Sequence, residues 1–100
     1  MLYFTQLIYV IPGQESVFHE FENHVLPLLT QYGGSLLLRV RPSTGDIIAC
    51  EGEVPYEVHL CAFKDQAGFD AYAQDKHRQQ FLHLKNKSVK SMLLVKGEAL

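Results

Sequence analysis

An α+β fold with its elements in the order βαββαβ is what this sequence predicts, and three observations carry the prediction. Stretches of alternating and of helical periodicity follow one another in that order. The helical stretches suffice to cover only one face of a four-stranded antiparallel sheet. Yet both sides of the first strand are apolar. Leu2, Phe4, Gln6, Ile8 and Val10 alternate with Tyr3, Thr5, Leu7, Tyr9 and Ile11, whereas a strand with one solvated side carries a polar set there. The second face is therefore expected to be covered by another molecule, in the simplest case a second copy of the chain in a homodimer.

The first strand runs from Leu2 to Ile11 and stops at the turn signal Pro12-Gly13. From about residue 14 to 32 the period becomes helical, with Phe18, Phe21, Val25, Leu28, Leu29 and Tyr32 in one stripe and Gly33-Gly34 as a left-handed stop. Pro27 has no N–H to give the carbonyl of Asn23, so a kink is expected within one long helix. Ser35 to Arg41 is a second strand, where strict alternation sets Leu36, Leu38 and Val40 against Leu37, Arg39 and Arg41. A turn at residues 42–46 leads to a short strand-like extension from Ile47 to Cys50, then to a third strand from Tyr56 to Phe63. Asp65 is placed to cap a second helix bearing Phe69, Tyr72 and Ala73, and a further helical piece aligns His77, Phe81 and Leu84. Val89 to Lys96 is the last strand. With no internal repeat, low-complexity run or linker, residues 1–100 are expected to form a single domain of ferredoxin-like architecture.

A net charge of −2, a sequence pI near 6.2 and scattered basic residues remove the electrostatic footprint of a nucleic-acid or anionic-membrane binder. Met1-Leu2-Tyr3-Phe4 leads directly into a strand without a basic leader or a long apolar run, so a soluble cytoplasmic protein is expected. Cys50 and Cys61 are the only cysteines, lie among apolar neighbours in sequence and form no Cys-x-x-Cys pair. They read as reduced, inert thiols. No phosphate-cradling glycine loop, nucleophile elbow or nicotinamide fingerprint is present. No set of histidines, cysteines and carboxylates has metal-ligand spacing. Neither a metal nor another tightly held cofactor is expected.

Five histidines leave candidates for proton transfer. His19 lies off the apolar stripe of the first helix and is expected to be solvated, whereas His24 falls at the edge of that stripe and can face a pocket or a subunit boundary. Glu20 stands four residues before His24, within reach on a helix. His59 alternates with Glu57 and Cys61 and so lies on a sheet face. On the helix side it would be a general base in a pocket; on the open side it would hydrogen-bond across a dimer. Arg39 and Arg41 share one strand face and need a carboxylate, either from Glu51, Glu53 or Glu57 or from a ligand. Tyr32 and Tyr72 are among five tyrosines able to wall a pocket while offering a hydroxyl.

The run Leu26-Pro27-Leu28-Leu29 through Tyr32-Gly33-Gly34, followed by Arg39, Glu51-Gly52 and Pro55, resembles a bacterial domain-of-unknown-function family within the dimeric α+β-barrel superfamily. The resemblance extends over nearly the whole chain and implies two ferredoxin-like subunits pairing their sheets face to face. Ala67-Gly68-Phe69-Asp70-Ala71-Tyr72 and His77 to Phe81 are also similar in spacing to a segment of the antibiotic-biosynthesis-type monooxygenases. His77 matches one of that segment's two histidines, and Tyr72 stands in place of the other. The likeness thus adds Tyr72 and His77 to His59 as catalytic candidates.

Two functions fit these expectations. One is a homodimer whose subunits each hold a small, partly apolar molecule between sheet and helices and act on it by cofactor-independent oxidation or isomerisation. In that reading His59, Tyr72 and His77 carry the chemistry, and Arg39, Tyr32 and His24 bind the substrate. The other is a non-catalytic ligand-binding or accessory dimer.

Overall fold

Four strands, β1 (Leu2–Val10), β2 (Gly34–Val40), β3 (Glu57–Phe63) and β4 (Val89–Gly97), pair antiparallel in the order β2-β3-β1-β4 in the computed structural model, which describes residues 1–100. The helices are α1 (Glu15–Val25), α2 (Gln66–Ala73), α3 (Lys76–Gln79) and α4 (Leu82–Ser88), so three short helices fill the second helical position of βαββαβ. The principal-axis extents are 36 × 36 × 16 Å. That thickness accommodates the sheet and one layer of helices, which is the ferredoxin-like arrangement.

The first helical segment differs from the expected kinked rod. α1 ends at Val25, and Leu26–Tyr32 continues as a 3-10 helix with Pro27 in its first turn. The proline ring excludes the Asn23 carbonyl as well as removing a donor, and the tighter winding satisfies the backbone that an α-helix would strand. Gly33 closes the segment at φ 70°, its N–H bonded to the Leu29 carbonyl. Gly34 is already in β2, and a Cβ on it would lie 2.7 Å from the Phe63 ring. Its bare backbone lets the helical layer descend onto β3.

β2 also departs from strict alternation. Leu36 pairs with Cys61 but Leu38 pairs with Leu60, so Leu37 is a bulge. The extra residue puts Leu36 on the helix side with Arg39, and leaves Leu38 and Val40 on the open side. Ile47 to Cys50 is not a strand: Thr44–Asp46 is a 3-10 turn held by a Ser43–Asp46 capping box, and loop follows. Cys50 in that loop is exposed rather than set among apolar neighbours, while Cys61 is buried; both thiols are free. Asp65 caps α2 as expected, its carboxylate accepting from the Gly68 N–H at 2.9 Å.

The core lies in two parts on the helix side of the sheet. Phe4, Leu28, Leu29, Cys61, Phe63 and Tyr72 form the larger, with Phe4 stacked on Phe69 at 4.3 Å and Phe63 edge-on to both rings. Ile8, Val10 and Phe18 form the smaller. Between Phe4 and Ile8 the inward residue of β1 is Gln6, and the polar layer begins there.

The opposite face has no cover within the chain. Val40, Val58, Leu7 and Leu93 make one transverse row across the four strands, and Leu38, Leu60, Thr5 and Val95 the next. Leu38, Leu93 and Val95 are each about half exposed (48, 53 and 50 %). Contiguous apolar surface of this kind marks a contact surface.

Candidate functional site

A polar row crosses the helix face at the break between the two core parts. Arg39, His59 and Gln6 are cross-strand neighbours on β2, β3 and β1, and Leu94 of β4 ends the row. Glu22 descends onto it from α1. It occupies the apolar stripe, one turn after Phe18 and before Val25, and is 5 % exposed. His59 and Glu57 are each 1 % exposed, so three titratable side chains are packed where hydrocarbon would be the default.

Their mutual geometry is specific. His59 Nε2 lies 2.8 Å from Glu57 Oε1, and Nδ1 lies 3.7 Å from Glu22 Oε2. Arg39 Nε and Nη2 donate to the two Glu57 oxygens at 2.8 and 3.2 Å, and Arg41 Nε donates to Oε2 at 3.0 Å. Of the three acids available to these arginines, Glu57 is the partner. Burial pushes the Glu57 carboxyl up, but hydrogen bonds from His59, Arg39 and Arg41 together outweigh it and hold it at about 2. Glu57 is therefore an anion, and Nε2 of His59 donates to it.

Glu22 behaves in the opposite sense. Burial raises its carboxyl to about 7, against the attraction of His59 and Arg39. No hydrogen bond stabilises its anion, and the 3.7 Å gap to His59 is beyond hydrogen-bond reach. A carboxyl that gains and loses its proton near neutrality is suited to acid–base work.

Glu22 also faces space. A cavity of about 240 Å³ lies between sheet and helices, lined by Gln6 of β1, Phe21, Glu22 and Val25 of α1, Phe69, Tyr72 and Ala73 of α2, Arg78 of α3, Lys85 of α4, and Met92 and Leu94 of β4. Its walls are mainly hydrocarbon and aromatic, with Gln6, Glu22, Arg78 and Lys85 as polar points. Burial and the nearby Arg78 charge push the Lys85 ammonium below its ordinary range.

The expected site residues separate in space. Tyr72 lines the cavity, but its hydroxyl donates to the Val25 carbonyl at 3.2 Å, and burial lifts its pKa to about 12. His59 and Arg39 lie on the helix side, yet neither forms part of the cavity wall. His24 stacks flat on Phe81 at 3.8 Å and approaches Glu20 to 4.0 Å. His77 is exposed, with its ring edge-on to Phe81. The Tyr32 hydroxyl donates to Asp75, the cap of α3. His24, His77 and Tyr32 thus stand apart from the cavity. His19, expected in solvent, is half-buried with Nε2 2.6 Å from the Tyr56 hydroxyl. No group of three or more histidine, cysteine, aspartate or glutamate side chains is disposed to hold a metal ion.

Glu22, Gln6, Arg78 and Lys85 were not among the expected candidates. Glu22 and Gln6 had a legible signal, each being a polar residue inside an otherwise apolar periodic set. Arg78 and Lys85 had none, since they belong to polar runs that read as solvated surface.

No protein-family model matches the sequence, and a comparison with curated proteins finds no relative. Solved structures show the fold. A protein of unknown function from Rhodopseudomonas palustris is similar at TM-score 0.83 and 13 % identity, with 99 % of this chain and 82 % of that one covered. A dimeric ferredoxin-like protein of unknown function from a Jannaschia species is similar at TM-score 0.72 and 23 % identity, with 98 % of each chain covered. An antibiotic biosynthesis monooxygenase is similar at TM-score 0.71 and 16 % identity, covering 100 % and 99 %.

Proposed function

We propose that the protein is a cytoplasmic homodimer, each subunit of which binds a small, partly apolar molecule in the cavity and moves a proton on it without a cofactor. Glu22 is the acid–base group. The observation that carries this reading is the buried carboxyl on the cavity wall, with a pKa of about 7 and an imidazole behind it. As a carboxylate, Glu22 takes a proton from a carbon next to a carbonyl; the electron pair of the broken C–H bond passes to the carbonyl oxygen as an enolate. Arg78 and Lys85 supply positive charge to that enolate. Return of the proton at a second carbon completes an isomerisation. The monooxygenase among the structural neighbours supports a second outcome, in which the carbanion adds to dioxygen to form a C–O bond, and the protonated hydroperoxide loses water as that carbon becomes a carbonyl.

In this reading His59 is a positioning residue. Glu57, fixed by two arginines, holds the ring so that Nδ1 faces Glu22. Tyr72 is a wall, and His77 has no part. The two apolar rows on the open sheet face support the homodimer, and the dimeric description of the Jannaschia neighbour agrees with it.

The test is hydrogen exchange in D2O with a panel of small ketones and oxo esters, followed by proton NMR. The protein is expected to accelerate exchange at the carbon beside the carbonyl, Glu22→Gln to abolish the acceleration, and His59→Gln to shift its pH profile. Exchange at the buffer rate throughout, in a protein that still binds such molecules, establishes the non-catalytic ligand-binding reading instead. That second reading draws on Tyr72, whose hydroxyl proton is engaged by the Val25 carbonyl.

A further inference from the structure

Arg78 Nε is the one buried side-chain nitrogen or oxygen of the chain that no protein group satisfies. Nε has no surface open to the cavity, and Nη1 is the one guanidinium nitrogen that hydrogen-bonds within the chain, so Nη2 keeps its donors for a partner where Arg78 lines the cavity. The rest of the guanidinium is held in place. Nη1 donates to the Ala73 carbonyl at 3.3 Å, and the guanidinium carbon lies over the Tyr72 ring, 5.0 Å from its centroid. Asp75 accepts from the backbone N–H of Arg78 at 2.7 Å, which caps the short helix carrying it. No carboxylate comes within ion-pairing distance, although Glu22 lines the same cavity. Lys85 adds a second cation from α4.

We infer that the cavity is an anion site whose ligand is a small monocarboxylate with an apolar tail, its carboxylate bound by Arg78 and Lys85 and its tail lying among Phe21, Val25, Phe69 and Met92. The inference goes beyond the proposed function and rests on it for the cavity alone: a carboxylate occupies the two cations that an enolate would use, so the acid is a ligand of the site and not its enolisation substrate. Three features of the site converge on this class. The two cations face one carboxyl, and burial favours the neutral form of that carboxyl, so an incoming anion meets net positive charge. A guanidinium offers donors in one plane, which match the two oxygens of a carboxylate. The volume of about 240 Å³ equals that of roughly eight waters, which suits a ligand of about ten non-hydrogen atoms.

Phenylacetate, phenylacetamide and phenethylamine share one shape and carry negative, zero and positive charge, and none is a substrate for enolisation at a ketone. Binding of all three to the intact protein, read by chemical shifts of the cavity residues, tests the inference. Phenylacetate is expected to bind at least about tenfold more tightly than the amide, with the amine weakest. Arg78→Gln is expected to erase the preference for the acid while leaving the amide unchanged; Arg78→Lys, which keeps charge but not the planar donors, falls between. Lys85→Gln reduces the preference without touching the Arg78 anchor and serves if Arg78→Gln fails to fold. Equal affinity for acid and amide, an unchanged preference in Arg78→Gln or Lys85→Gln, or no binding by any of the three overturns the anion site. None of these results depends on catalysis. Loss of exchange activity with the acid preference intact would count against proton transfer alone.

Discussion

Glu22 and Glu57 flank one imidazole, that of His59, yet their carboxyls titrate at about 7 and about 2. The difference is in their partners. Glu57 is buried with hydrogen bonds from His59 and two guanidinium groups, whereas Glu22 is buried with none. Burial raises both carboxyls, and the hydrogen bonds that only Glu57 receives carry it to the other side of the ordinary carboxylate value.

The Glu22 carboxyl carbon is expected to titrate near pH 7 by carbon-13 NMR. His59→Gln moves the midpoint upward, because the attraction of His59 lowers it in the native protein. A midpoint near that of a solvated glutamate would show that the carboxyl is not buried as described.

Stability follows with opposite signs for the two acids. The native state holds the Glu22 proton more tightly than the unfolded chain, so its contribution is full below about pH 4.5 and is lost as pH rises toward 7. Glu57 is the reverse: its contribution is present above about pH 4.5 and is lost as pH falls toward 2. Urea unfolding at fixed protein concentration should therefore show a decline between pH 5 and pH 8. Glu22→Gln should flatten that decline, with a gain on the order of 3 kcal/mol at the alkaline end.

Removing the Glu57 charge leaves Arg39 and Arg41 facing each other, and one amide oxygen cannot accept from both guanidinium groups and His59 as two carboxylate oxygens do. Glu57→Gln should cost about 2–4 kcal/mol, measured by denaturant unfolding. A loss within the range of ordinary surface substitutions would mean that the arginines reach solvent freely.

Leu93→Lys places a charge at the β4 end of one open apolar row without touching the helix side of the sheet. Sedimentation should show a native dimer and a folded variant monomer, with the cavity probes still bound by each subunit. A wild-type monomer at micromolar concentration would leave the exposed rows without the proposed occupant.

Asp65→Ala removes the cap of α2 and should destabilise by about 1 kcal/mol, since the Gly68 N–H loses its acceptor. A thermal shift within error would indicate that solvent replaces the carboxylate at no cost.

What the sequence determined by itself was local. Periodicity places the strands and the helical segments, Asp65 marks a helix start, and Gly33 a helix stop, because each depends on neighbours within a few residues along the chain. The same reasoning failed at Pro27, where a 3-10 helix satisfied the backbone that a kink would have left open, and at Leu37, where one extra residue moved Leu36 across the sheet. Only the tertiary structure decided the site. Register between three strands set Arg39, His59 and Gln6 side by side, and packing of four helices brought Glu22, Arg78 and Lys85 to the same 240 Å³ of space. Glu22 and Glu57 are the same amino acid in the sequence. Their chemistry diverges because a pKa is set by the donors and solvent around a group, and those arrive from distant parts of the chain only when it folds.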